Sequence, residues 1–482
     1  MYQFVNASSG NDSNDGLTEE APVATLLQAF THLLNPGDHA GSHVIITDSS
    51  TYTAGVSFSI IGGLPSVAAD RIHFMAKTGS DGLPMVHPVI DGGNSGGTGS
   101  PVRAGAIRCS AGWVIRGLTF QNYIINASLQ QGVIYARSFT ATEGGPSEFA
   151  ITIEDCTFKH ITGSCIDLSE GLNATLPAKI NRNKFFDINL GGSGSYVITT
   201  GTTANKRMKV TNNLFYDLQF RSVNDGIILG GGSRGPDNII SHNTFGTSSV
   251  EGKDVTSITY PTLPVKSFYG KAEYNIVYKQ TLNNGSNSSF FSMNNGEANR
   301  NITFSLSGQD SSNAPFAGTA NVTSSVGNLT SDPLFRGKPD SALVGTDAST
   351  NGYKLRNINS PAFDAAIGSS DVTTDITAGD RVGLDSSALE TGIFDIGAFE
   401  LTGLYSVPIP DHLPQEGGDF VINRISNADN QNKRGNRISN EEVLGRDVDQ
   451  VPFTTAINGA VPAFIRKRPT ANTGEKGKTT NN

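Results

Sequence analysis

Apolar and polar positions alternate along the middle of this chain, and the alternation recurs as one phrase. It reads Ile153-Glu-Asp-Cys-Thr-Phe158, Ile180-Asn-Arg-Asn-Lys-Phe185, Val210-Thr-Asn-Asn-Leu-Phe215 and Ile240-Ser-His-Asn-Thr-Phe245. A weaker copy follows at Ala272–Val277, and an earlier one precedes at Ile115–Phe120. The last residues of these phrases (Phe120, Phe158, Phe185, Phe215, Phe245, Val277) are 38, 27, 30, 30 and 32 residues apart. Helical repeats of this length need apolar spacings of three and four. Here the period is two, bounded by Gly, Asn and Ser, which is strand chemistry with turns. Self-similarity at such an interval means a solenoid. Three short strands and three turns fill about 30 residues, so the pattern predicts a parallel β-helix with coils about 4.8 Å apart. The Phe column is expected to fill its interior. Two places earlier runs Leu118, Cys156, Asn183, Asn213, Asn243 and Asn275. An inward polar residue must be paired, and stacked amides pair with one another, so these Asn are read as a structural ladder.

The flanks follow from the same rules. Residues 2–20 predict a short strand that runs into an Asn/Asp/Gly turn cluster. Leu26, Leu27, Phe30, Leu33 and Leu34 have helical spacing over Pro22–Leu34, stopped by Asn35-Pro36-Gly37. Such a helix is expected to cover the open end of the solenoid, whose strand edges are otherwise exposed. Val44–Thr47, Ile72–Met75 and Val89–Asp91 supply early coils. The long first step implies an insertion near Ala141–Ser147. Aligning Val133-Ile134-Tyr135, Ile166-Asp167-Leu168, Val197-Ile198-Thr199 and Ile227-Ile228-Leu229 as one stack, with outer residues inward, turns Ile134, Ile198 and Ile228 outward, as a face for a neighbouring subunit.

The chain divides into residues 1–40 (strand and capping helix), 41–400 (β-helix) and 401–482. The last part holds 10 Lys/Arg and 9 Asp/Glu, a net of +1, against 25 and 35, a net of −10, before it. It reads either as a disordered tail or as an arm that orders on a partner. Phe453, Ile457, Val461, Phe464 and Ile465 favour the arm, with assembly or anchoring as its role.

Val5-Asn-Ala-Ser-Ser-Gly-Asn-Asp-Ser-Asn-Asp-Gly16, with Ala21-Pro22 and Thr25-Leu26, carries a resemblance. So do Asp332-Pro-Leu-Phe335, Tyr353-Lys-Leu355, Ser360-Pro-Ala-Phe-Asp364, Asp380-Arg-Val-Gly383 and Asp395-Ile-Gly-Ala-Phe-Glu400. Over about residues 2–400 the chain resembles right-handed parallel β-helix proteins of the pectate-lyase-like superfamily, in the branch that includes chondroitinase B-like lyases. The resemblance implies the fold, an all-β right-handed parallel β-helix with an N-terminal capping helix and a C-terminal extension. It does not choose an activity, because that frame carries lyases, hydrolases and phage spikes.

Candidate chemistry sits two places after each Phe anchor, at Asn122, His160, Asp187, Asp217 and Thr247. His160, Asp187 and Asp217 would form a row on adjacent coils. Close carboxylates split their pKa values into acid and base, and oxygen ligands admit Ca2+. The competing reading is that these residues close a turn on their own backbone. A second set is Asp167, Glu170 and Asp225 near Lys206, Arg207, Lys209 and Arg221. A lyase of the kind the resemblance implies needs a base, an Arg and acidic Ca2+ ligands, but none of these positions aligns with a known role. A solvated coil surface competes with it.

Composition narrows the setting. The net charge of −9 argues against nucleic acid. Cys109, Cys156 and Cys165 form no metal or redox motif. No run of 18 apolar residues predicts a membrane span, and the opening residues show no secretory leader. The expectation is therefore a virion-associated protein, as tail spike, fibre or surface decoration. It would act on the virion or outside the cell, oligomerise (a trimer favoured), contact surface polysaccharide, and meet other virion proteins through residues 401–482. A polysaccharide lyase or glycoside hydrolase is the second reading, and a bacterial surface adhesin the third.

Overall fold

The computed structural model describes the chain between residues 1 and 401 with several stretches omitted, the longest being 60–71, 94–106, 137–150, 247–260, 307–323, 336–352 and 378–392. The insertion near Ala141–Ser147 and the arm at 402–482 lie outside the described residues.

The described chain is a parallel β-solenoid with three long sheets. A ten-stranded first sheet runs from Tyr2–Val5 to Glu297–Asn299, and a nine-stranded second sheet from Thr51–Thr53 to Ile302–Phe304. An eight-stranded third sheet runs from Phe58–Ser59 to Phe291–Met293. The chain visits them in turn, so each coil pairs only with the coil before and after it. Phe158 pairs with Phe120 and Phe185, and Phe185 with Phe215. Phe215 pairs with Phe245, and Phe245 with Val277.

Those anchors are fully buried. Their rings stack with centroids 5.2, 4.9, 4.8 and 5.1 Å apart from Phe120 to Phe245. Offset aromatic stacking thus follows from the strand spacing itself. The Asn ladder is also present. In each rung the side-chain oxygen of one Asn accepts the backbone N–H of the Asn one coil earlier, at 2.9 Å from Asn183 to Asn213 and from Asn213 to Asn243. The ladder continues through Asn275 and Asn301 to Asn328. The residue before each rung is left-handed: Gly117, Asp155, Arg182, Asn212, His242, Tyr274 and Arg300, with φ between 53° and 71°. Non-Gly residues adopt that region at a cost of roughly 1–2 kcal/mol each, so the ladder behind them must hold the bend.

Two expectations need correction. The helix spans Leu26–Leu34, not Pro22–Leu34. Asp12 accepts the N–H groups of Ala24 and Thr25, and Thr25 caps Gln28, which fixes its start. Leu26, Ala29, Phe30 and Leu33 are buried, while Leu27 is exposed. Phe30 meets Phe74 and Trp113 of the early coils. The third-sheet register also differs. Ile134 pairs with Ile166, Ile166 with Ile198 and Ile198 with Ile228. That column is buried in the same core as Val133, Cys165, Val197 and Ile227. Both columns belong to one core, and the column after them is buried at Tyr135 and Asp167 and half-buried at Thr199 and Leu229. The apolar row expected to face a subunit is therefore interior, because pairing isoleucine with isoleucine fills the core.

A second core lies outside the coils. Residues just after the anchors, Phe186, Tyr216 and Tyr278, pack with Phe335, Tyr353, Leu355, Ile376, Ile396 and Phe399 of the C-terminal segment. The segment is tied down by Gly397 N–H to Tyr274 O at 2.9 Å and Ala398 N–H to Thr244 Oγ1 at 3.0 Å.

Candidate functional site

The outer face of the second sheet changes character along the solenoid. One outward column reads Gln121, Lys159, Phe186, Tyr216, Gly246, Tyr278 and Phe304, by strand register. From Phe186 onward it is apolar and roofed by the C-terminal segment. At Gly246 the column lacks a side chain, and Tyr353 takes the place: a Cβ on Gly246 would lie 2.2 Å from the Tyr353 hydroxyl. Tyr353 there packs against Tyr216, with centroids 5.5 Å apart, and Phe335, at 5.3 Å. Before Phe186 the column is polar and half-buried, at Gln121 and Lys159, with no C-terminal residue packed on it among the described residues.

The row His160, Asp187, Asp217 lies at this boundary. Asn122, His160, Asp187 and Asp217 all have left-handed backbone, with φ of 59°, 53°, 52° and 54°. They form a second bend column, and Lys279 and Ser305 continue it. The structure joins His160 to Asp187 through His160 Nδ1 and Asp187 Oδ2. Exposure falls along the row. The His160 side chain is 45% exposed and that of Asp187 18%, while Asp217 is 2% exposed beside the roofed aromatics. The accessible chemistry is thus an imidazole oriented by a carboxylate, with a buried carboxylate one coil further on. An imidazole so held keeps a defined tautomer and presents its other nitrogen to solvent. Asn122 leans the other way, with Nδ2 donating to Asp91 Oδ2 at 2.8 Å beside Gln121 at 2.7 Å.

Around this row the face carries both signs among the described residues, Lys159 and Lys184 beside Asp187, with Asp91 two coils before Lys159 in the same column. Lys159 and Lys184 project from adjacent strands as diagonal neighbours, since Lys184 pairs with Thr157 and Phe186 with Lys159. Neither makes an ion pair among the described residues. Arg221 donates from Nε to Asn189 Oδ1 at 2.9 Å at the far end of the same strands. The acids nearby are committed elsewhere. Asp187 holds His160, and Asp155 takes Arg182 at 2.6 Å and Arg116 at 2.8 Å.

The second set of candidates is not one site. Asp225 is fully buried and accepts four backbone N–H groups, from Gly194, Ser195, Arg221 and Ser222. It is a staple for the turn into the third sheet, and burial raises its pKa despite those bonds. Asp167 is buried and accepts Ser169 N–H at 2.9 Å. Lys209 lies on the first sheet, beside Lys179. Glu170 and Lys206 are outside the described residues. Among the described residues no group of three or more His, Cys, Asp or Glu is placed to hold a metal ion, and Ca2+ enters no step below.

Sequence reasoning missed the roof and the lysines. The signal was present: Phe185-Phe186 and Phe215-Tyr216 break the alternation with two successive aromatics, which means a strand covered on both faces. Lys159 is the last outward residue before that change.

No protein-family model matches the chain, and no curated protein matches it. Among solved structures, 11 chains match. They include a GH136 lacto-N-biosidase from Eubacterium ramulus, with a TM-score of 0.36 and 11% identity over 68% of this chain and 68% of that one. A rhamnogalacturonan lyase has a TM-score of 0.36 and 12% identity over 73% and 99%. The PL6 family alginate lyase AlyGC has a TM-score of 0.21 and 12% identity over 74% and 56%. Likeness at this level transfers neither an activity nor a residue role.

Proposed function

We propose that this chain is a structural β-helix of a virion surface, as tail spike, fibre or decoration, and that it contacts an acidic surface polysaccharide through the open half of its second sheet. The observation that supports glycan contact is the change of face at Phe186. The apolar half is covered by the chain's own C-terminal segment, whereas the half bearing Lys159, His160 and Lys184 has no such cover among the described residues and presents two lysines on a chain of net charge −9. Cations concentrated on one face of an acidic protein attract an anionic partner locally. Hydrogen-bonding side chains recurring once per coil, about 4.8 Å apart, suit a linear polymer lying along the solenoid. The virion part of the reading rests on the apolar residues within 402–482, read as an assembly arm.

Two experiments test the two parts. Electrophoresis of the full chain through gels containing polygalacturonate should retard it, and less so as salt rises. A gel containing a neutral glucan should not. Equal migration in both gels refutes the glycan part. For assembly, the solution mass of the full chain should be that of a trimer or larger, and that of a chain ending at Glu400 a monomer. Two monomers refute the arm.

The contact between His160 and Asp187 supports a second reading, polysaccharide cleavage with His160 as general base. It requires a product ladder from an acidic polysaccharide that disappears in His160→Ala, Asp187→Ala and Asp217→Ala. Intact polymer after prolonged incubation removes it.

A further inference from the structure

The two ends of the solenoid differ. At the first, the helix Leu26–Leu34 lies against the early coils through Phe30. At the other, Ser324 pairs with Glu297 and Leu329 with Ile302, and no strand pairs with them from the far side among the described residues. Arg300 N–H donates to the Val326 carbonyl at 2.9 Å and Leu329 N–H to the Asn301 carbonyl at 2.8 Å, so this last coil is tied to the one before it. Leu329 continues the outward column Leu214, Thr244, Ile276 and Ile302. Those four members are at most 1% exposed, whereas Leu329 is 37% exposed. Val326, just before the left-handed Gly327, is 66% exposed. A column that is buried in four coils and opens in the fifth marks an edge that lacks its next strand, and such an edge is a template for one.

We propose that residues 451–457 of the same chain, Val-Pro-Phe-Thr-Thr-Ala-Ile, add along 324–330 as a terminal strand and close this end. Their alternate positions Val451, Phe453, Thr455 and Ile457 are β-branched or aromatic, which is the strand pattern, and Asn458-Gly459 supplies a turn after them. Pro452 suits a last strand, because it cannot donate to a further ladder and stops another chain from adding. Reach favours the same chain. Leu401 N–H is held by Asp395 Oδ2 at 2.6 Å, and Gly397 sits on Tyr274. The edge lies two coils beyond Tyr274, about 10 Å away. Spread as a flexible linker, residues 402–450 cover roughly 40 Å, so Val451–Ile457 meets its own edge at a far higher effective concentration than that of a second copy in dilute solution. This closure does not rest on the assembly reading, and it leaves Val461, Phe464 and Ile465 for a partner.

The test is photo-cross-linking in the full chain from benzoylphenylalanine placed at position 326, whose exposure lets the coil keep its structure. Illumination should join position 326 to residues 451–457, and the denatured product should keep the mass of one chain. In parallel, amide hydrogen exchange should show residues 326–330 about tenfold or more better protected in the unsubstituted chain than in Phe453→Asp/Ile457→Asp. The control Val461→Asp/Phe464→Asp should leave that protection unchanged. A two-chain product, a link to another segment, no link, or equal exchange in the two arm variants overturns the closure. The solution mass of the unsubstituted chain reports the assembly reading separately.

Discussion

Replacing Asn213 by Ala tests what holds the coils together. Asn213 is fully buried. Its Oδ1 accepts the Asn183 backbone N–H at 2.9 Å, and its Nδ2 donates to the Ile180 carbonyl at 2.9 Å and to Asn243 Oδ1 at 3.0 Å. Removing the amide leaves Asn183 N–H without that acceptor and the Ile180 carbonyl without that donor, in a place water does not reach. The Asn183 side chain keeps its bond to the Ile153 carbonyl at 2.9 Å, so the damage stays local. Each buried polar group left unsatisfied costs about 1–3 kcal/mol, giving about 2–6 kcal/mol in all. A domain's whole stability is about 5–15 kcal/mol. Because a solenoid is held by nearest-neighbour interfaces, the loss should also split the unfolding transition. Equilibrium urea unfolding, followed by fluorescence and by circular dichroism, reads both effects. Leu27→Ala, at an exposed position of the helix, serves as the control and should stay within about 0.5 kcal/mol. A loss below about 1 kcal/mol for Asn213→Ala, with a single sharp transition, would refute the ladder as a stabilising element.

The remaining predictions concern the roof, a thiol and an ion pair. Gly246→Ala should expel Tyr353 from its slot and cost about 1–3 kcal/mol, the usual penalty of overpacking. Limited proteolysis should then cut the C-terminal segment first, and combining it with Tyr353→Ala should cost less than the sum of the two. Burial pushes the Cys156 thiol up to about 12, so a thiol reagent should label it only at the rate of unfolding; rapid labelling in native buffer contradicts the buried rung. Burial opposes ionisation of Asp155, but Arg182 and Arg116 outweigh it and hold its pKa below the ordinary value. A depressed carboxylate contributes stability above the unfolded value of about 3.9, and that contribution fades as pH falls through the lower folded value. The stability gap between the protein and Asp155→Asn should therefore be full at neutral pH and shrink below about pH 4; a gap that is constant with pH excludes the pairing.

Much of the solenoid was legible because its interior is periodic. A Phe every 30 residues and an Asn two places before it admit one stacking. The third sheet was misread by one position at Ile166. Val-Ile and Ile-Ile pairs carry no alternation, and only pairing across coils decides which residue meets which. The roof was half legible: the C-terminal phrases were recognisable, but their seat depended on Phe186, Tyr216 and the gap at Gly246, which are outward and far away in sequence. The row His160, Asp187, Asp217 was found as a column, yet its backbone bend and graded exposure arise from three-dimensional neighbours that spacing does not encode.

The measurement that bears most directly on the proposed glycan face is the binding isotherm of polygalacturonate for the full chain and for Lys159→Ala/Lys184→Ala, with Lys271→Ala as the control. Lys271 is a first-sheet lysine with a 44% exposed side chain. Two surface cations in contact with an anionic chain contribute up to about 1 kcal/mol each, so the double variant should bind about tenfold more weakly while the control binds like the unsubstituted protein. Equal affinity in all three, or an equal loss in the control, would mean that the polymer does not lie on the second sheet.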